Sequence, residues 1–279
     1  MVPENIKNIS NSDTDRPIGV FDSGIGGLTV LKALQHHFPH ESFIYIGDTA
    51  RLPYGTKSPA TVARYAESLT TEILRHEVKA VVVACNTAST HGLHAVKNLA
   101  SPLPVIGMID PAAKAAIAAS RSKHIGVMAT SGTIKSNAYQ TALLQHNQNC
   151  KLSSVACQIL VALAEEGWAD DDIARATLHK YLDPIFHQAD APDTLILGCT
   201  HFPVFIPLIQ EMLGHSVTLI NSGEAASHDL LDVLETNTKS TQGKTAFFVT
   251  DDPHRFADNA AKFYDDRISA DDVTLIDIR

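Results

Sequence analysis

From Pro17 onward, short apolar runs alternate with longer amphipathic stretches. The runs cover 18–21, 43–46, 80–84, 105–109, 125–128, 195–197, 217–220 and 246–249. They are apolar at successive positions rather than at every second one, as expected of strands buried on both faces. Helix signals lie between them. At Ser58-Pro59, serine can cap and proline take the first helical position, and Val62, Ala66, Leu69 and Ile73 then share one face. Apolar strands separated by helices predict an α/β fold with parallel sheets covered on both sides.

The residues that follow the runs carry more chemistry than the runs themselves. In order they are Asp22-Ser23, Asp48-Thr49, Cys85-Asn86-Thr87, Asp110, Thr130-Ser131, Cys199-Thr200-His201 and Asn221-Ser222. In open parallel sheets, ligands bind in the crevice beyond the carboxyl ends of the strands, so these residues gather where such a fold builds its site. The chain also echoes itself. Ile18-Gly19-Val20 returns as Ile125-Gly126-Val127, and VVVACNTAS around Cys85 resembles LILGCTHFP around Cys199. Two buried strands can look alike without common origin. A true repeat would instead make two similar lobes, each bringing one strand-end cysteine to a shared cleft.

Composition narrows the field. With 279 residues, 44% hydrophobic and 19% charged, the chain can bury one large core or two modest ones. A formal charge of −9 argues against a dedicated nucleic-acid binder. No apolar run reaches the roughly 20 residues of a membrane-spanning helix, and residues 1–16 read as a flexible polar tail without the apolar core of an export signal. The expectation is therefore a cytoplasmic protein. The cysteines are Cys85, Cys150, Cys157 and Cys199. They form neither a disulfide framework nor a C-x-x-C zinc pattern, so no metal site is expected.

Cys85 and Cys199 each sit where a strand leads into a helix, where backbone N–H groups favour a thiolate. A lone cysteine in such a place is commonly a small buried hydrophobe, but the matched pair points to function. Cys150 and Cys157 lack that setting and read as structural. Asp22 to Leu28 is a glycine-rich strand-to-helix turn, suited to an anionic group such as a phosphate or a carboxylate. It is neither G-x-G-x-x-G nor a lysine-bearing phosphate loop. Leu52-Pro53-Tyr54-Gly55 reads as a tight loop. Thr130, Thr133 and Ser136 supply hydroxyls whose alternative role is capping. Glu165 has the position of a solvated helix end, and His201 is placed to tune Cys199.

The motifs FDSGIGGLTV, GDTARLPYG, ACNTAS, ATSGTIKSNAY, GCTHFP and VTDDPHRF, in this order, resemble those of the glutamate racemases in the cofactor-independent aspartate/glutamate racemase superfamily. The resemblance implies two similar α/β lobes, each a mostly parallel sheet flanked by helices, with the active site in the cleft between them. The first lobe is expected from 17–110 and 219–279, the second from 111–218. The resemblance further implies that Cys85 and Cys199 are the catalytic acid/bases, without metal, pyridoxal phosphate or any other cofactor. Asp22 and His201 would assist on their respective sides. Asp22, Ser23, Pro53, Tyr54, Gly55, Asn86, Thr87, Thr130, Thr133, Thr200 and His201 would surround the amino acid. A family acidic helper matches Glu165, although relatives often carry prolines where this chain reads CQILVALAEEG. Implied partners are glutamate, a second copy in a homodimer and, as in some relatives, a regulatory cell-wall precursor; D-glutamate for peptidoglycan is the implied pathway. Rival readings are an aspartate racemase on the same scaffold, a two-lobed binding protein without catalysis, and a phosphate-handling enzyme using the Asp22–Gly27 turn.

Overall fold

The computed structural model describes residues 15–236, 242–264 and 268–278, so residues 1–14 of the expected tail lie outside it. Asp15 is already buried, and the tail reading therefore does not extend to it. The strands in chain order are β1 (Ile18–Asp22), β2 (Phe43–Gly47), β3 (Ala80–Val83), β4 (Val105–Ile106), β5 (His124–Ala129), β6 (Lys151–Ala156), β7 (Thr194–Gly198), β8 (Thr218–Asn221), β9 (Thr245–Val249) and β10 (Val273–Leu275). Two all-parallel sheets result. One has the order β10-β9-β2-β1-β3-β4 and the other β6-β5-β7-β8.

The internal echo has a counterpart in topology. The order β2-β1-β3-β4 in the first sheet is repeated as β6-β5-β7-β8 in the second. Ile18 pairs with Phe43 and Ala80, and Ile125 with Leu152 and Thr194, so the two Ile-Gly-Val segments occupy equivalent central strands. Cys85 follows β3 and Cys199 follows β7, the equivalent strands of the two sheets.

Helices cover these sheets: α1 (Leu28–His37), α2 (Pro59–Leu74), α3 (Asn86–His91), α4 (Leu93–Ala100), α5 (Ile109–Ala119), α6 (Ser131–Lys135), α7 (Ala138–His146), α8 (Gln158–Glu166), α9 (Asp172–Phe186), α10 (Ile206–Leu213), α11 (Ser222–Leu231) and α12 (Pro253–Ala260). Helix α2 forms as its sequence specifies. Ser58 Oγ accepts from the Thr61 N–H at 3.3 Å, Pro59 opens the first turn, and Val62, Ala66, Leu69 and Ile73 are fully buried. Each of the larger three contributes about 1.5–3 kcal/mol by leaving water. Among the described residues, no helix is long and apolar enough to cross a membrane.

Two expectations need correction, and two strands lie outside the predicted runs. The run at 105–109 is a strand only at Val105–Ile106; Ile109 opens α5, so Asp110 lies in a helix's first turn and bonds to His146 at 2.8 Å instead of joining the strand-end residues. Strand β8 pairs with β7, so residues 219–221 belong with the second sheet and the return to the first comes after them. Strands β6 and β10 were not expected. Both are edge strands with partly exposed, mixed sequences, KLSSVA and VTL, which lack a continuous apolar signal.

Candidate active site

The glycine-rich turn after β1 folds onto its own aspartate. The Gly24 and Gly27 N–H groups both donate to Asp22 Oδ2 at 3.0 Å. A Cβ on Gly27 would stand 2.4 Å from Asp22 Cβ, so only glycine lets the backbone wrap this closely. The carboxylate received by these two N–H groups is thus Asp22 itself. Burial raises its pKa, against lowering by His201 and the turn's N–H groups. Asp22 is fully buried and does not line the cavity; it reaches the site through Thr200, whose Oγ1 donates to Oδ1 at 3.5 Å. The next residue, Ser23, does line it.

The second wall comes from the loop after β2. Pro53, Tyr54 and Gly55 line the cavity, but the Tyr54 hydroxyl is committed elsewhere, donating to the Asp48 carboxylate. Asp48 also receives Arg51 Nε at 2.7 Å and Thr250 Oγ1 at 2.9 Å. Burial, reinforced by Asp48, pushes the Tyr54 phenol far above its ordinary range. The next residue, Gly55, packs closely on Thr130: a Cβ on Gly55 would sit 2.7 Å from Thr130 Cβ.

Cys85 occupies the N-cap of α3 and accepts from the Ala88 N–H at 3.4 Å, as its strand-to-helix position implies. Burial nevertheless dominates. Desolvation, joined by the negative charge of Asp22 and Cys199, pushes the thiol up to about 12, against opposing hydrogen bonds from Ser23 and Ala88. Asn86 and Thr87, the next two residues, line the cavity with it. Thr87 Oγ1 lies 3.0 Å from Thr130 Oγ1 and 3.3 Å from Thr133 Oγ1, a hydroxyl cluster that crosses between the lobes. Thr130 lines the cavity and also caps α6; Thr133 stands behind it, and Ser136 donates to the Thr133 carbonyl.

On the opposite side, Cys199, Thr200 and His201 follow β7. His201 Nδ1 lies 3.9 Å from Cys199 Sγ, and its Nε2 lies 3.1 Å from Glu165 Oε1 at the end of α8. Burial alone would lower the histidine pKa, but the hydrogen bonds and charges of Cys199 and Glu165 outweigh it and raise the group to about 10. The ring is further fixed by Phe263, edge-on at 5.3 Å, and by Gly26, where a Cβ would meet Nδ1 at 2.5 Å. Glu165 is thus no idle helix end. Cys157 and Cys150 lie outside this cavity.

Both cysteines line the same narrow cavity, of about 30 Å³. A cleft of about 260 Å³ adjoins it, sharing Leu52 and Glu165. Sequence reasoning did not single out Gly24, Leu52, Gln158 and Val161 as lining residues. Tyr139 and Ser222, which bond to Asn86, were also missed; only Ser222's place after an apolar run and Tyr139's place in the SNAY segment offered a signal.

Residues 28–230 match the family model for Asp/Glu/hydantoin racemases. The chain belongs to that family. A glutamate racemase of Syntrophus aciditrophicus is 44% identical over 257 residues, covering 91% of this chain and 94% of the relative. The crystal structure of glutamate racemase from Francisella tularensis, in complex with D-glutamate, superposes with a TM-score of 0.86 at 35% identity, covering 96% of this chain and 99% of that one. The Escherichia coli glutamate racemase, in complex with L-glutamate and the activator UDP-MurNAc-Ala, superposes with a TM-score of 0.75 at 26% identity, covering 95% and 99%. Among these racemases the chain falls with the glutamate enzymes, and it is an isomerase with their two-lobed α/β fold.

Proposed function

We propose that the chain interconverts L- and D-glutamate by passing a proton between Cys85 and Cys199, with no cofactor, and so supplies D-glutamate for peptidoglycan. The carrying observation is that equivalent strands of two equivalent sheets deliver the two cysteines to one cavity. Two bases on opposite faces of an α-carbon let one thiolate remove the proton while the other thiol donates, which inverts the centre in one passage. The negative charge that develops on the substrate carboxylate needs fixed donors, and hydroxyls such as Thr87 and Thr130 are candidates.

The two faces are unequally equipped. Cys85 is held as a neutral thiol by burial and Asp22, the form that donates. On the other face, His201 lies between Cys199 and Glu165, within reach of both. A small separation of the lobes would widen this narrow cavity for the substrate, and reclosure would exclude solvent from both thiols. The activator bound to the Escherichia coli relative supports control of this chain by a cell-wall precursor.

The test is incubation of the purified protein with enantiopure L-glutamate, followed by chiral chromatography. The expected result is an approach to equal amounts of both enantiomers. Unchanged L-glutamate, or aspartate racemised with equal kcat/KM, would overturn the assignment. Aspartate, shorter by one methylene, would withdraw its side-chain carboxylate from donors set for glutamate, a mismatch that can exceed the roughly 1–3 kcal/mol of a missing methylene.

A further inference from the structure

Asn86 stands next to Cys85 in the cavity wall, and the hydrogens around its side-chain amide can be assigned one by one. Ser222 Oγ donates its single hydrogen to the Leu197 carbonyl at 2.8 Å. Towards Asn86, 3.3 Å away, Ser222 can therefore only accept, which requires the amide nitrogen on that side. The same nitrogen donates to the Tyr139 hydroxyl at 2.9 Å, and that hydroxyl, 3.4 Å from Ser222 Oγ, can pass its own hydrogen there. Both N–H groups of Asn86 are then used. Its oxygen, Oδ1, is buried and has no partner among the described residues. Asn86, Tyr139 and Ser222 are 3%, 3% and 4% exposed, so water does not substitute freely for any member. Gly198, immediately before Cys199, makes room for this arrangement: a Cβ there would stand 2.9 Å from the Tyr139 ring.

We infer that Tyr139 and Ser222 are positioning residues that turn the Asn86 amide so that its oxygen is offered to the α-ammonium group of the bound amino acid. The inference rests on the glutamate racemase reading above. A buried amide oxygen without a donor is destabilising, and an ammonium, with three N–H donors and no acceptor, is the complementary partner. The substrate's carboxylates bring only acceptors and are repelled from the same atom. With the amide turned round, its nitrogen would suit a carboxylate, and Ser222 would have no hydrogen left for the amide oxygen. The network thus assigns the cationic end of the substrate to the Asn86 side. It joins the two lobes, since Asn86 begins α3 just after β3 of the first sheet while Tyr139 and Ser222 come from α7 and the start of α11, after β5 and β8 of the second.

The experiment measures Kd by calorimetry for D-glutamate and for glutarate, which keeps both carboxylates and lacks the ammonium. Full-length native protein is compared with Tyr139→Phe and Ser222→Ala, each checked by thermal melting. Each folded variant is expected to weaken D-glutamate about tenfold and glutarate by less than about twofold. Equal weakening of both ligands, the mark of a merely structural role, overturns the inference, as does unchanged D-glutamate binding. Should Tyr139→Phe not fold, Ser222→Ala carries the same comparison. The native protein alone also decides: if it binds glutarate as tightly as D-glutamate, no oxygen reads the ammonium. Those outcomes leave racemisation intact. Native protein that neither binds nor racemises glutamate removes the underlying reading as well.

Discussion

Replacing either thiol by an alcohol gives the sharpest test of the proton-transfer proposal. Burial and the charge of Asp22 push the Cys85 thiol up to about 12, so its resting form is the neutral thiol. A serine alcohol in the same buried place is a far weaker acid than the thiol and provides no usable base at neutral pH. Cys85→Ser should therefore reduce racemisation by about 10⁴, the upper end of what a positioned acid/base contributes. Cys199→Ser should be similarly severe, because each passage uses both groups. The assay follows L-glutamate in D₂O by chiral separation and by proton NMR of the α-position, with thermal melts to show that the variants remain folded. In the native enzyme, early D-glutamate should carry α-deuterium while remaining L-glutamate stays protiated, since the donated proton comes from the solvent-exchanged thiol on the far face. Either variant retaining more than about 1% of the native rate, or early product keeping substrate-derived hydrogen, would refute the two-cysteine reasoning.

Three further outcomes follow from the geometry. Glu165→Gln removes the anion 3.1 Å from His201 Nε2, which helps hold that histidine near 10; loss of a raising charge lowers the histidine pKa, so the alkaline limb of kcat/KM should move to lower pH, and an unmoved limb would separate His201 from the Cys199 step. Gly26→Ala places a Cβ 2.5 Å from both His201 Nδ1 and Thr200 Oγ1; kcat/KM should fall by at least about tenfold in a folded protein, as expected when a reacting group is displaced by about an ångström, and native-like kinetics would show that the turn yields freely. Burial lowers the pKa of His76, whose ring nitrogens have no partner among the described residues. Because the unfolded chain binds this proton more readily, the contribution of His76 is present above about pH 6.5 and is lost as pH falls below it. Urea melts at pH 5 and 7.5 should show a smaller pH difference for His76→Phe, which keeps a ring against Phe248, than for the native chain; equal differences would exclude His76 as a source of acid sensitivity.

Much of this protein was legible in the chain because parallel strands buried on both faces leave continuous apolar runs, and the residues after those runs necessarily meet at one edge of the sheet. That logic located β1, β2, β3, β5, β7 and β9, and through them Ser23, Cys85, Asn86, Cys199 and His201. The repeated Ile-Gly-Val segments even anticipated the equivalence of β1 and β5. The edge strands β6 and β10 left no such trace, because a strand covered on one side carries the mixed composition of a surface. What only the tertiary structure decided is where each polar atom points. Asp22 turns inward to its own glycine turn, the Tyr54 hydroxyl is claimed by Asp48, and Glu165 meets His201 across 36 positions of sequence. The Asn86 amide is oriented by Tyr139 and Ser222, 53 and 136 residues away. Hydrophobic burial is a local, non-directional property that composition records, whereas a hydrogen bond is directional and depends on which distant element supplies the partner.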